Sequence, residues 1–147
     1  GAEVSFFHLE SRTSPIELLR SRHRLHKTLR LLRPDVVHVH FGSVAALWTV
    51  ISSPLPVVVT FMGDDLDRRS VRGVAKPFVG GLFSQIAAFF AAGIICTDEQ
   101  VREHLWWRTS EARVVPLHGD ARANAAEVLD HLRSVAYHRA EQAGEGH

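Results

Sequence analysis

Two short apolar runs, each ending in glycine, constrain this chain more than any other feature. The first is Val36-Val37-His38-Val39-His40-Phe41, entered through Pro34-Asp35 and left through Gly42. The second, Pro56-Val57-Val58-Val59-Thr60-Phe61, starts 14 residues after Gly42 and runs out into Met62-Gly63-Asp64-Asp65-Leu66. Runs this apolar read as strands buried on both faces, the mark of a parallel sheet covered by helices. Such sheets take their ligands outside the carboxyl edge of the strands. The pattern describes a nucleotide- or sugar-handling α/β domain, with its site at those two strand ends.

The remaining signals alternate in the same rhythm. Glu3 to His8 is a strand candidate. Ser14-Pro15 then supplies an N-cap with proline at the first helical position, and Pro34 stops that helix after about Leu32. Ser43 caps a short apolar helix, Val44 to Ile51, and Ser53-Pro54-Leu55-Pro56 is a rigid connector. Met62 to Gly73 reads as a polar loop. A helix follows from about Val79 or Leu82 to Ala92, then a strand over 93–97. Thr97-Asp98-Glu99-Gln100 opens another helix, expected to reach about Trp107. Arg113 to Pro116 is one more short strand, and a last helix runs to about Gln142 before a frayed tail. Alternation with connections this short predicts a Rossmann-like three-layer α/β domain with a mostly parallel sheet of about five strands.

Composition narrows the function classes. The 147 residues fit one domain, with 46% hydrophobic and 22% charged residues. A formal net charge of +1 offers no bulk argument for a nucleic-acid partner. The cations cluster, however: Arg20, Arg22, Arg24, Lys27 and Arg30 lie between Arg12 and Arg33. A solvated helix face explains that run, and so would an anionic membrane surface or a phosphate-bearing ligand. The single cysteine, Cys96, excludes an internal disulfide and a cysteine-based zinc site, and its apolar strand makes it a core residue. The longest apolar run, Ile86 to Cys96, is too short to span a bilayer, and Gly1 onward shows no signal-peptide pattern. The expectation is a cytoplasmic protein, at most peripheral at the inner membrane face.

Several segments are similar, in order, to a known family. Pro34-Asp35-Val36-Val37-His38-Val39-His40 and Pro56-Val57-Val58-Val59-Thr60-Phe61-Met62-Gly63-Asp64-Asp65-Leu66 resemble the amino-terminal domain of family-4 glycosyltransferases, which have the GT-B fold. The stretch from Ala92-Gly93-Ile94-Ile95-Cys96-Thr97-Asp98-Glu99 to Leu105 looks like the family's "ADxIIxxSExxRxxL". Arg113-Val114-Val115-Pro116 looks like the start of its "RVVPNGVD" turn, and Gly1-Ala2-Glu3-Val4-Ser5 is similar to its "GHEVxV" second strand. The likeness makes residues 1–120 a glycosyltransferase-like Rossmann domain and 121–147 a C-terminal helix and tail.

The resemblance implies transfer of a sugar from a nucleotide donor with retention, with no cofactor and no metal. The amino-terminal domain holds a sugar or lipid-linked acceptor. A carboxyl-terminal domain, or here a partner subunit, holds the nucleotide sugar. Carried over by position, His40, Phe41 and Gly42 fall at the acceptor side of the cleft, and Met62, Gly63 and Asp65 line it near the reacting sugar. The chain departs from the pattern at Met62, where the family commonly has a histidine, and at Leu117-His118-Gly119, which replaces Asn-Gly-Val. The family's first strand, its Gly-rich loop and its acidic donor-binding motif have no counterpart in this sequence. An incomplete site and a gap or rearrangement in the sheet are therefore expected. A non-catalytic binding or interaction module derived from the same fold is the alternative.

Other constellations have competing readings. His38 and His40 share one face of a strand and could chelate a metal, but no third ligand is evident, and a pocket or core role suits them better. Asp64, Asp65 and Asp67 suit acid–base chemistry, or, with Arg68, Arg69 and Arg72, a self-neutralising loop. Gly80-Gly81 reads as a flexible lead-in rather than a phosphate loop. Of Trp106 and Trp107, one ring is expected in the core and the other at a contact surface.

Overall fold

The computed structural model describes residues 2–7, 15–63, 66, 76–116 and 120–144. Helix α1 spans Pro15–Leu32, β1 Val37–His40, α2 Ser43–Ser52, β2 Val57–Phe61 and α3 Lys76–Phe90. They are followed by β3 at Gly93–Cys96, α4 at Glu99–Glu103, β4 at Arg113–Val114 and α5 at Ala121–Gly144. The four strands form one parallel sheet in the order β1-β2-β3-β4, each strand beside its predecessor in sequence. Right-handed crossovers that always step the same way put their connecting helices on one face.

The side chains sort accordingly. On one face Val57, Val59, Phe61, Ile94 and Cys96 bury against Ala46 of α2 and Ala87, Ala88 and Ala91 of α3. On the other, Val58, Ile95 and Val115 meet Val128, Leu132 and Val135 of α5. Every residue of β2 is buried, as its unbroken apolar run requires. Helix α1 packs Leu25 and Leu29 against Trp48 and Leu55 at the β1 flank, and its His26 Nε2 bonds the Ser52 carbonyl at 2.7 Å. The α1 cations Arg22, Arg24, Lys27 and Arg30 stay exposed, as on a solvated helix face.

Three expectations need correction. The sheet has four strands among the described residues, not about five. Residues 2–7 form no strand; Val4 and Phe6 are 66% and 96% exposed, and Phe7 alone of the segment packs onto the α1–α2 cluster. A strand needs a partner ladder, and this segment docks by one ring. Gly80-Gly81 lies inside α3, where a Cβ at either position would meet nothing within 4 Å.

Helix α4 also stops early, at Glu103, for an identifiable reason. The buried Gln85 side chain donates to the His104 carbonyl at 2.8 Å and accepts from the Trp106 amide at 3.0 Å. That clasp turns the chain out of the helix before the tryptophans. Leu105 takes the core position, and both Trp106 and Trp107 end up exposed.

Candidate functional site

At the carboxyl edge of β1 and β2 the backbone enters the left-handed region twice, at Phe41 and at Gly63. The Phe41 amide still donates to the Thr60 carbonyl at 3.0 Å, and the chain then turns at φ +71°. A phenylalanine in the left-handed region is costly and persists only where its surroundings enforce it. Its ring is 52% exposed at the lip of the edge. Gly42 follows, buried, with ordinary φ but no room for a side chain. A Cβ there would stand 2.4 Å from Ser84 Oγ and 3.1 Å from the Phe61 ring. Glycine at 42 therefore lets the start of α2 approach α3 and β2.

Strand β2 ends in half-buried Met62 and exposed Gly63, whose φ of +48° makes glycine the natural occupant. The chain then returns to the core at Leu66, 3% exposed. His40 pairs in register with Thr60, so His40-Phe41-Gly42 and Met62-Gly63 stand side by side on one edge. Asp65, with Asp64, Asp67, Arg68, Arg69 and Arg72, lies outside the described residues, as does Leu117-His118-Gly119.

Behind this edge, His38 points to the α5 face and shares a 2.7 Å hydrogen bond with the Thr60 hydroxyl. Its ring lies 4.3 Å from that of exposed His40. Burial, reinforced by His40 and then His131 of α5, pushes the His38 pKa down to about 4. His38 is thus neutral near pH 7 and serves as a hydrogen-bonding partner to the strand end. No group of three metal-ligating side chains occurs among the described residues.

The neighbouring strand end is ordered by capping. The Thr97 amide donates to the Phe61 carbonyl at 3.2 Å, and Asp98 Oδ1 accepts from the Val101 amide at 2.8 Å to start α4. Burial first, then the Asp98 charge, pushes the Cys96 thiol up to about 12, so this edge carries no thiolate nucleophile. The edge thus offers one exposed aromatic face, two glycine turns and an imidazole. Such a set can orient a polyhydroxylated ligand with an apolar side.

A parallel four-stranded sheet covered by helices on both faces defines a Rossmann-like α/β domain, the class whose ligands sit outside the carboxyl edge. The sequence model of Glycosyltransferase Family 4 matches residues 2–118, and the chain belongs to that family. The match is consistent with an amino-terminal domain of the GT-B fold. No curated protein matches the chain.

Both turn glycines were visible in the sequence as strand-terminating residues. The strained Phe41, the Ser84 hydroxyl beneath Gly42 and the His38–Thr60 bond were not. Only the His40–Thr60 register brings the last pair together. Its sequence signal was the polar interruption of two otherwise apolar strands.

Proposed function

We propose that the carboxyl edge formed by His40-Phe41-Gly42 and Met62-Gly63-Asp65 is the acceptor-side half of a retaining, nucleotide-sugar-dependent glycosyl transfer site. The observation that carries this reading is the left-handed Phe41 at a glycine-lined strand end of a family-4 domain. An exposed ring and neighbouring backbone groups suit a sugar, whose C–H face is apolar and whose hydroxyls need directed partners. Transfer also requires preorganised charge aimed at an oxocarbenium-like sugar and a departing diphosphate. Phe41, Gly42, Met62 and Gly63 bring no charge for that task. The reading therefore assigns the nucleotide sugar to a second domain or a partner subunit, with residues 121–147 as a C-terminal appendage and the cytoplasm as the working compartment.

Met62 favours one second reading, a non-catalytic sugar-binding module of the same ancestry. Its thioether cannot make the directed hydrogen bond that the family's histidine offers a donor sugar.

Chemical-shift mapping of the ¹⁵N-labelled chain against a panel of hexosides and nucleotide sugars tests the proposal. Hexosides are expected to shift the amides of His40 to Gly42 and of Gly63, and Gly63→Val is expected to abolish the effect. Shifts confined to another part of the sheet, or none with any member of the panel, would overturn it.

A further inference from the structure

The opposite edge of the sheet carries a second surface with its own chemistry. Helices that return antiparallel to the strands end at the amino edge, where α3 finishes with Phe89-Phe90 and the α4–β4 connection places Trp106-Trp107. These rings form one continuous cluster, with Phe89–Phe90 centroids at 5.1 Å, Phe89–Trp107 at 5.6 Å and Trp106–Trp107 at 5.5 Å. All four stay exposed, at 52, 61, 40 and 45% respectively.

One exposed cation, Arg139, stands at the margin of the cluster, while Arg108 anchors it from behind. The Arg108 guanidinium donates to the carbonyls of Ala88, Phe89 and Ala91, holding a positive charge against the last turn of α3. Arg139 of α5 lines a cleft of about 180 Å³ with Phe90, Ala92 and Pro54, so it meets the cluster at Phe90. Glu111 pairs with Arg108 at 2.8 Å and neutralises it, which leaves Arg139 as the cation of this surface that can meet an anionic headgroup.

Area decides what such a surface can hold. At roughly 200 Å² per aromatic side chain the rings present about 400 Å². A stable dimer buries about 800 Å² per partner. A bilayer interface has no such threshold, because indole and phenyl rings partition singly at headgroup depth and arginines meet anionic lipid. We infer that the Phe89-Phe90-Trp106-Trp107 cluster, with Arg139 at its margin, is a docking surface for an anionic lipid bilayer. It holds the domain with its carboxyl edge turned away from the membrane. The inference is independent of the glycosyl-transfer reading and concerns the opposite edge.

The test is co-sedimentation of the full chain with vesicles of phosphatidylcholine alone or with roughly a third phosphatidylglycerol, which gives an anionic surface. Tryptophan emission is read in parallel; Trp48 is buried, so a blue shift reports Trp106 and Trp107. The expected result is binding to the anionic vesicles, weakened at least tenfold by Phe90→Gln/Trp107→Gln. Lipids brominated in the acyl chain are expected to quench the wild-type emission, a readout that needs no variant and holds even if the double variant misfolds. Absence of binding, binding without quenching, or a dimer in light scattering that the double variant abolishes would each overturn the inference.

Discussion

At the scale of single residues, Gly42 and His38 show how narrowly the carboxyl edge is built. Gly42 has an ordinary φ of −74° but leaves no space for a side chain. Gly42→Ala forces the new methyl against Ser84 Oγ and the Phe61 ring. It is expected to cost about 1–3 kcal/mol, read as a lower urea midpoint with an unchanged slope. His38 makes stability depend on pH. Its folded-state pKa lies below the unfolded value, near 4 against 6.5, so below pH 6.5 the unfolded chain binds a proton that the folded chain refuses. Stability is full above pH 6.5, falls as the pH drops toward 4, and levels off below that. The loss is on the order of 3 kcal/mol, with a contribution of the same sign from His131, whose pKa is also lowered by burial. Urea unfolding at a series of pH values should show this slope, and His38→Gln should remove most of it.

At the scale of elements, the Gln85 clasp decides where α4 ends and where the aromatic edge lies. Gln85→Leu keeps the volume but leaves the His104 carbonyl and the Trp106 amide without their partner. It is expected to cost about 1–3 kcal/mol and to change the near-ultraviolet tryptophan signal. Nothing in the sequence announces this contact, because its partners lie 19 and 21 residues away and involve the backbone. By contrast, the bounds of α1 were legible: it begins at Pro15, where proline suits the first helical position, and ends at Leu32, ahead of Pro34. Strands β2 and β3 were legible because burial on both faces leaves an unmistakable apolar run. The segment from Glu3 was misread because a strand-like run becomes a strand only when a ladder partner exists. Gly80-Gly81 was misread because intrinsic propensity is a weak prior once a helix packs. At the candidate site, Gly42 and Gly63 could be named from sequence. The strain at Phe41 could not, since it follows from how β1 leaves the ladder.

At the scale of the whole molecule, burial grades across the sheet. Strands β2 and β3 are buried throughout, while β1 and β4 are half-buried or exposed. Native-state hydrogen exchange should follow that gradient. The amides of Val58 to Phe61 and of Ile94 to Cys96 are expected to exchange only on global unfolding. Those of β1 and of the two-residue β4 should open more readily, by about 1–3 kcal/mol. Equal protection in all four strands would mean that the outer ladders gain support from packing that burial does not reflect.

The unidirectional strand order, β1 to β4 with no step back, carries a consequence for ancestry and engineering alike. A sheet whose every strand lies beside its predecessor is assembled like a staircase, each tread resting only on the one before. A flank of such a staircase can be lengthened, trimmed or grafted without rethreading what already stands. Each added tread needs only one free edge and one helix-length of chain to reach it.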